Sequence, residues 1–90
     1  MAELRDNVTA RRFEWTENGA TAFATYRNDG AHLVIPHVEA PLSLRGTGAA
    51  GRLMEAVVGH ARKAGIRLVP TCSYAQAWFK RHPEARDVLA

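Results

Sequence analysis

Chemistry in this 90-residue chain would centre on Arg45-Gly46-Thr47-Gly48-Ala49-Ala50-Gly51, where side chains nearly vanish and an apolar-periodic stretch begins. A helix entered through such a loop presents unpaired backbone N–H groups and the positive end of its macrodipole, and both favour an anion such as a phosphate. Arg45 adds a full positive charge. Outside the loop, three side chains could move a proton or an acyl group. Glu39 is a carboxylate just before the loop, Cys72 is the single cysteine, and Tyr74 is a phenol two residues beyond it.

The loop supports several readings, and spacing removes some of them. Gly46, Gly48 and Gly51 satisfy G-x-G-x-x-G literally. A dinucleotide-binding fold also requires a parallel strand-helix-strand start and an acid about 20 residues on. That region is Pro70-Thr71-Cys72-Ser73, without an acid. A nucleoside-triphosphate loop would need Gly-Lys-Ser/Thr at its end, and no lysine stands there. A tight turn allowing close helix-sheet packing remains as the plain structural alternative.

The elements that would position these residues follow from pattern. Asn7 to Glu14 reads as a strand, turned by Glu17-Asn18-Gly19, and Ala20 to Arg27 as a second, turned by Asn28-Asp29-Gly30. His32 to Ile35 begins a third, which Pro36 weakens or bulges before it resumes through Glu39. Ala50, Leu53, Val57, Ala61 and Ala64 recur at helical spacing, and Gly65 ends that helix. Ile66 to Val69 reads as a short buried strand stopped by Pro70. Ser73 with Gln76 matches a capping box for a second helix that Pro83 ends. The expectation is an α/β (α+β) fold in the order β-β-β-α-β-α, with a mixed sheet of about four strands in one domain spanning residues 1–90. The helix between the third and fourth strands allows those two to run parallel.

Composition sets the class. With 47% hydrophobic and 23% charged residues the chain is an ordinary globular sequence. No stretch approaches the roughly 20 apolar residues of a membrane span, and MAELRDN lacks an apolar signal region, so the expected location is cytoplasmic, with no membrane partner. One cysteine makes no internal disulfide and no cysteine-based metal framework. Residues 46–90 carry seven basic and three acidic side chains against five and six in residues 1–45, which favours an anionic partner without naming it.

Arg45, Gly48 and Ala50 fit R-x-x-G-x-A, and here the sequence resembles the GNAT superfamily of N-acetyltransferases, whose diphosphate loop is Gln/Arg-x-x-Gly-x-Gly/Ala. From His37 onward, HVEAPLSLRGTGAAGRLMEAVVGHARKAGIRLVPTCSYAQAWFKRHPE resembles the stand-alone GNAT-like domains of about this length. Those show H-T-E-V-P, an R-G-x-G loop, P-x-C and H-P-E in this order. The likeness covers about residues 5–89. Val38 replaces the usual threonine and Ala40 the usual valine, so no role resting on that hydroxyl transfers.

The resemblance implies acetyl-coenzyme A as cofactor, with its diphosphate over Arg45, Gly46, Thr47, Gly48, Ala49 and Ala50. It also implies a splay between the third and fourth strands, exposing Val38, Glu39 and Ala40 to the pantetheine arm. Lys80 is a further candidate for a coenzyme A phosphate. Acyl transfer from a thioester needs a base for the amine, a donor to the carbonyl and an acid for the departing thiolate. Glu39 is the candidate base. Two routes stay open: direct attack with Cys72 or Tyr74 as acid, or an acetyl-Cys72 intermediate with ping-pong kinetics. Of the histidines, only His37 would share a strand face with Glu39, and no close ligand pair suggests a metal.

The expected function is therefore N-acetyl transfer to an amine, either a protein lysine or a small molecule. The alternative is a coenzyme A-binding module with little turnover, because larger GNAT enzymes carry extra N-terminal helices that shape the acceptor site and this chain begins in its first strand. Nucleic-acid binding is the weakest reading, since no interleaved aromatic-basic surface is visible. A monomer or weak dimer is expected.

Overall fold

The structure is a computed structural model in which residues 3–90 are described. Five strands form one sheet in sequential order: β1 (Leu4–Asn7), β2 (Arg12–Glu17), β3 (Ala20–Asn28), β4 (Leu33–Glu39) and β5 (Leu68–Pro70). The first four pair antiparallel, and β5 joins β4 in parallel. Helix α1 (Ala49–Ala64) makes the crossover between β4 and β5, and α2 (Ser73–Arg81) follows β5. The mixed sheet with packed helices is the expected architecture, with one more strand than the order β-β-β-α-β-α allowed.

The extra strand arises because the segment expected to start at Asn7 is a hairpin. Its turn contains no Gly or Pro. The Asn7 side chain accepts from the Ala10 N–H at 3.1 Å, and Arg11 takes a left-handed φ of 55°. An Asx-type turn of this kind leaves little trace in composition. Val8, which reads as a strand residue, sits exposed at the turn.

The other turns form where they were expected. Asn18 and Gly19 join β2 to β3, and Asn28 and Asp29 close the next hairpin with side-chain acceptors to Gly30 and His32. The bulge expected at Pro36 is present: Thr25 pairs with His37 and Arg27 with Val34, so Ile35 and Pro36 together face Tyr26.

The core lies between one sheet face and the helices. Phe13, Ala22, Ala24 and Ile35 pack with Leu53, Met54, Val57 and Ala61 of α1 and with Trp78 and Phe79 of α2. The buried stripe of α1 includes Met54 and Val58, whereas Ala64 is exposed at the last turn and Ala50 is only partly covered. Gly65 closes α1, its N–H bonded to Ala61 O. After α2 a 3₁₀ segment, Pro83–Val88, returns the chain to β5, where Leu89 bridges Leu68 and the Ala90 N–H bonds Leu68 O at 3.0 Å. Arg62 holds this segment to α1 through two bonds of 2.7 Å to Asp87.

Candidate active site

Strands β4 and β5 pair only over Leu33–Ile35 and Leu68–Pro70. The last link is the Thr71 N–H to Ile35 O at 3.1 Å, after which β5 ends and β4 runs on to Glu39. Among the described residues, the edge of β4 toward β5 therefore has no neighbouring strand beyond Ile35. This is the expected splay, and it opens into a cleft of about 530 Å³, a size ordinary for small-molecule sites.

The opposite wall is the glycine loop. A 3₁₀ turn, Leu42–Leu44, leads from β4 into it, anchored by buried Leu44. Gly46 and Gly48 take φ of +78° and +86°. No atom lies within 4 Å of where a Cβ on Gly46 would stand, so the loop leaves open a space that a side chain would fill. Gly48 caps α1, and the N–H groups of Ala50 and Gly51 fall in its first turn, where no intrahelical acceptor exists. Arg45 reaches back across the cleft, its Nε donating to Ala40 O at 3.2 Å.

Most of the expected site residues converge here. Val38, Glu39, Ala40, Arg45, Gly46, Gly48, Ala49 and Ala50 line the cleft together with Tyr74, the second residue of α2. Three do not. Thr47 is exposed and its hydroxyl is tied to the local backbone, donating to Leu44 O at 2.6 Å and accepting from the Ala49 N–H at 3.3 Å. Lys80 borders a separate, smaller cavity of about 210 Å³ shared with Arg86. Cys72 stands at the N-cap of α2, where its Sγ accepts from the Ala75 N–H at 3.4 Å. The expected cap, Ser73, is instead the first helical residue, and Gln76 bonds Pro70 O at 3.3 Å.

Two groups have an environment suited to proton transfer. Glu39 Oε1 lies 3.0 Å from His37 Nε2, on the sheet face away from α1, with both side chains about half exposed. Tyr74 has its pKa raised above the ordinary 10.0, mainly by burial, and Arg81 only partly opposes this. Its phenol therefore remains protonated near neutral pH and is fit to donate.

Sequence reasoning passed over a network behind the loop. Arg52, one turn into α1, donates to both oxygens of Glu17 at 2.6 and 2.8 Å and to Thr47 O at 3.1 Å. Trp15 Nε1 donates to the same carboxylate at 2.6 Å. Residues 17 and 52 are too far apart in the chain for spacing to reveal the pair. Among the described residues, no three His, Cys, Asp or Glu side chains gather to hold a metal ion, and no helix is long and apolar enough to cross a membrane.

Comparison with known proteins agrees with this layout. The sequence profile of the GCN5-related N-acetyl-transferase family matches residues 12–88. Among solved structures, the fold is similar to the NMR solution structure of a GCN5-like protein from Staphylococcus aureus. The TM-score is 0.69 at 29% identity, and the match covers 98% of this chain and 87% of the other.

Proposed function

Given that the chain belongs to the GCN5-related N-acetyltransferase family, we propose that it binds acetyl-coenzyme A in the cleft between β4 and α1 and transfers the acetyl group to an amine. One observation carries this reading: an unpaired strand edge and a glycine-lined helix start face each other across a single cleft. Coenzyme A joins an amide-bearing arm to a diphosphate. A strand edge suits the first, and a helix N-terminus suits the second.

The residues present fit that group. The N–H groups at the start of α1, with Arg45 beside them, would hold the diphosphate, and β4 from Val38 to Ala40 would hold the pantetheine arm. When bound, acetyl-coenzyme A supplies an activated acyl thioester. Glu39 accepts the proton released by the attacking amine and becomes a neutral acid, and the hydrogen bond from His37 to one of its oxygens orients the carboxyl group for that transfer. Tyr74, kept protonated, donates to the departing thiolate sulfur. Cys72 is engaged as a helix cap and stands outside the cleft lining, which favours direct attack over an acetyl-Cys72 intermediate. The acceptor is a primary amine, a lysine side chain or a small molecule, approaching from the open sheet face that carries His37 and Glu39.

Thermal unfolding with acetyl-coenzyme A tests the binding. Ligand at about 100 times its dissociation constant adds roughly 2.7 kcal/mol, and each kcal/mol raises the midpoint of a domain this size by about 4–8 °C. The shift should shrink in Arg45→Ala. Release of free thiol on adding an amine panel then tests turnover, and Tyr74→Phe should lower kcat. No shift at millimolar ligand would overturn the proposal. A shift without thiol release from any amine would leave a coenzyme A-binding module.

A further inference from the structure

Helix α1 has no acidic residue in its first turn, yet Arg52 stands just after it. A cation there opposes the helix macrodipole. The structure supplies the missing acid from the β2–β3 hairpin: Glu17 meets Arg52 with two parallel bonds of 2.6 and 2.8 Å, and its side chain is only 17% exposed. The Trp15 indole fixes one of its oxygens from behind, and Arg52 Nη2 also reaches Thr47 O, the residue before Gly48. Arg52 Nη1 lies 3.0 Å from where a Gly48 Cβ would stand. The guanidinium thus bridges three points: the hairpin, the loop carbonyl and the left-handed start of α1.

We propose that Glu17 and Arg52 are positioning residues that hold the glycine loop in its ligand-ready shape and so set its affinity for a diphosphate. The inference rests on the proposed coenzyme A site for its ligand, but the loop order it asserts belongs to the free protein. Glu17 is suited to the role because Arg52 first, then Trp15, lowers its pKa from 4.5 to about 2, so the carboxylate stays ionised at any ordinary pH. Arg52 acts through geometry, since its fork spans Glu17 and Thr47 O together. A lysine carries the same charge but cannot make both contacts in one plane.

Charge and geometry predict opposite results. Removing a negative charge beside an anion site tightens anion binding if charge governs, and weakens it if Glu17 orders the loop. Glu17→Gln, Arg52→Ala and Arg52→Lys are compared for ¹H–¹⁵N heteronuclear NOE at residues 46–51 without ligand, and for coenzyme A affinity by calorimetry. The expected result is a fall in NOE confined to the loop in all three, with affinity about 10-fold weaker because only a fraction of molecules remains competent. Arg52→Lys should not rescue. If Glu17→Gln is unfolded by circular dichroism, Arg52→Lys carries the test. A rigid loop in the variants, tighter binding in Glu17→Gln, or full rescue by lysine would overturn the proposal. If the unaltered protein binds no coenzyme A, the cofactor reading fails, and the NOE comparison still decides whether the pair orders the loop.

Discussion

Alanine at Gly46 and at Gly48 should destabilise the protein by different amounts, and the difference measures how Arg52 is held. Both glycines occupy left-handed backbone, at φ +78° and +86°. A residue with a Cβ loses roughly 1–2 kcal/mol in that region. Alanine also narrows the unfolded ensemble relative to glycine, which offsets about 0.4–1 kcal/mol. The net loss common to both is about 1 kcal/mol, a fall in midpoint of about 4–8 °C. The sites differ in what the new methyl meets: nothing within 4 Å at residue 46, but Arg52 Nη1 at 3.0 Å and Cζ at 3.9 Å at residue 48.

The guanidinium end is flexible and can swing aside, so the methyl itself adds little repulsion. What it disrupts is the set of bonds from Arg52 to Glu17 and to Thr47 O. Gly48→Ala should therefore lose measurably more than Gly46→Ala, and the excess should vanish when both are made in an Arg52→Ala background. Urea unfolding monitored by tryptophan fluorescence reads all the variants, with an unchanged m-value as the check that only stability moved. Equal losses in both backgrounds would show that Arg52 is not held over Gly48. A Gly46→Ala variant more stable than the unaltered protein would refute the left-handed loop itself.

Two further predictions follow from the site and the sheet. Cys72→Ser supplies a stronger cap acceptor than sulfur, so it should keep or raise the midpoint and keep turnover with sequential kinetics, whereas Cys72→Ala should lose about 0.5 kcal/mol, the low end for a cap; ping-pong kinetics abolished in both variants would instead establish acetyl-Cys72. Tyr26 donates to Asp6 at 2.5 Å, and burial first, then Asp6, raises its pKa from 10.0 to about 12. The folded state thus favours neutral Tyr26, a contribution fully present below pH 10 and lost as pH rises through about 12. Tyr26→Phe, which keeps the ring that packs 4.8 Å from Phe13, should flatten the stability curve in that window, and an unchanged alkaline limb would count against the bond.

Local signals in the sequence account for much of this molecule. Asn18-Gly19 and Asn28-Asp29-Gly30 announce their turns because those residues tolerate the required backbone or cap it themselves. The loop from Arg45 to Gly51 is legible because a run of small residues before an apolar period has few uses. The Asn7–Arg12 hairpin is not legible, since its turn is made by one side-chain acceptor and a left-handed arginine. The cap of α2 falls one residue early because Cys72 Sγ lies where a serine hydroxyl was expected to act. Tyr74 and Lys80, read as candidate acid and candidate phosphate contact, are six positions apart on α2, which at 3.6 residues per turn puts them about 120° apart around the helix, and of the two Tyr74 lines the cleft. The Glu17–Arg52 pair depends on tertiary approach alone.

The bulge at Ile35-Pro36 shows how a local irregularity sets the chemistry of the site. Before it, Leu33 and Ile35 belong to the core beneath α1, while Val34, paired with Arg27, points to the other face. Strict alternation would carry His37 and Glu39 onto the core side and Val38 away from it. Burying a carboxylate and an imidazole there would be costly. The extra residue reverses the alternation: Val38 now pairs with Ala24, whose side chain is fully buried, and His37 and Glu39 emerge on the open face beside the cleft. Pro36, unable to donate to a ladder, stands where the register breaks. One strand thereby supplies apolar residues to the core at its start, and an ionisable pair and a free backbone edge to the site at its end.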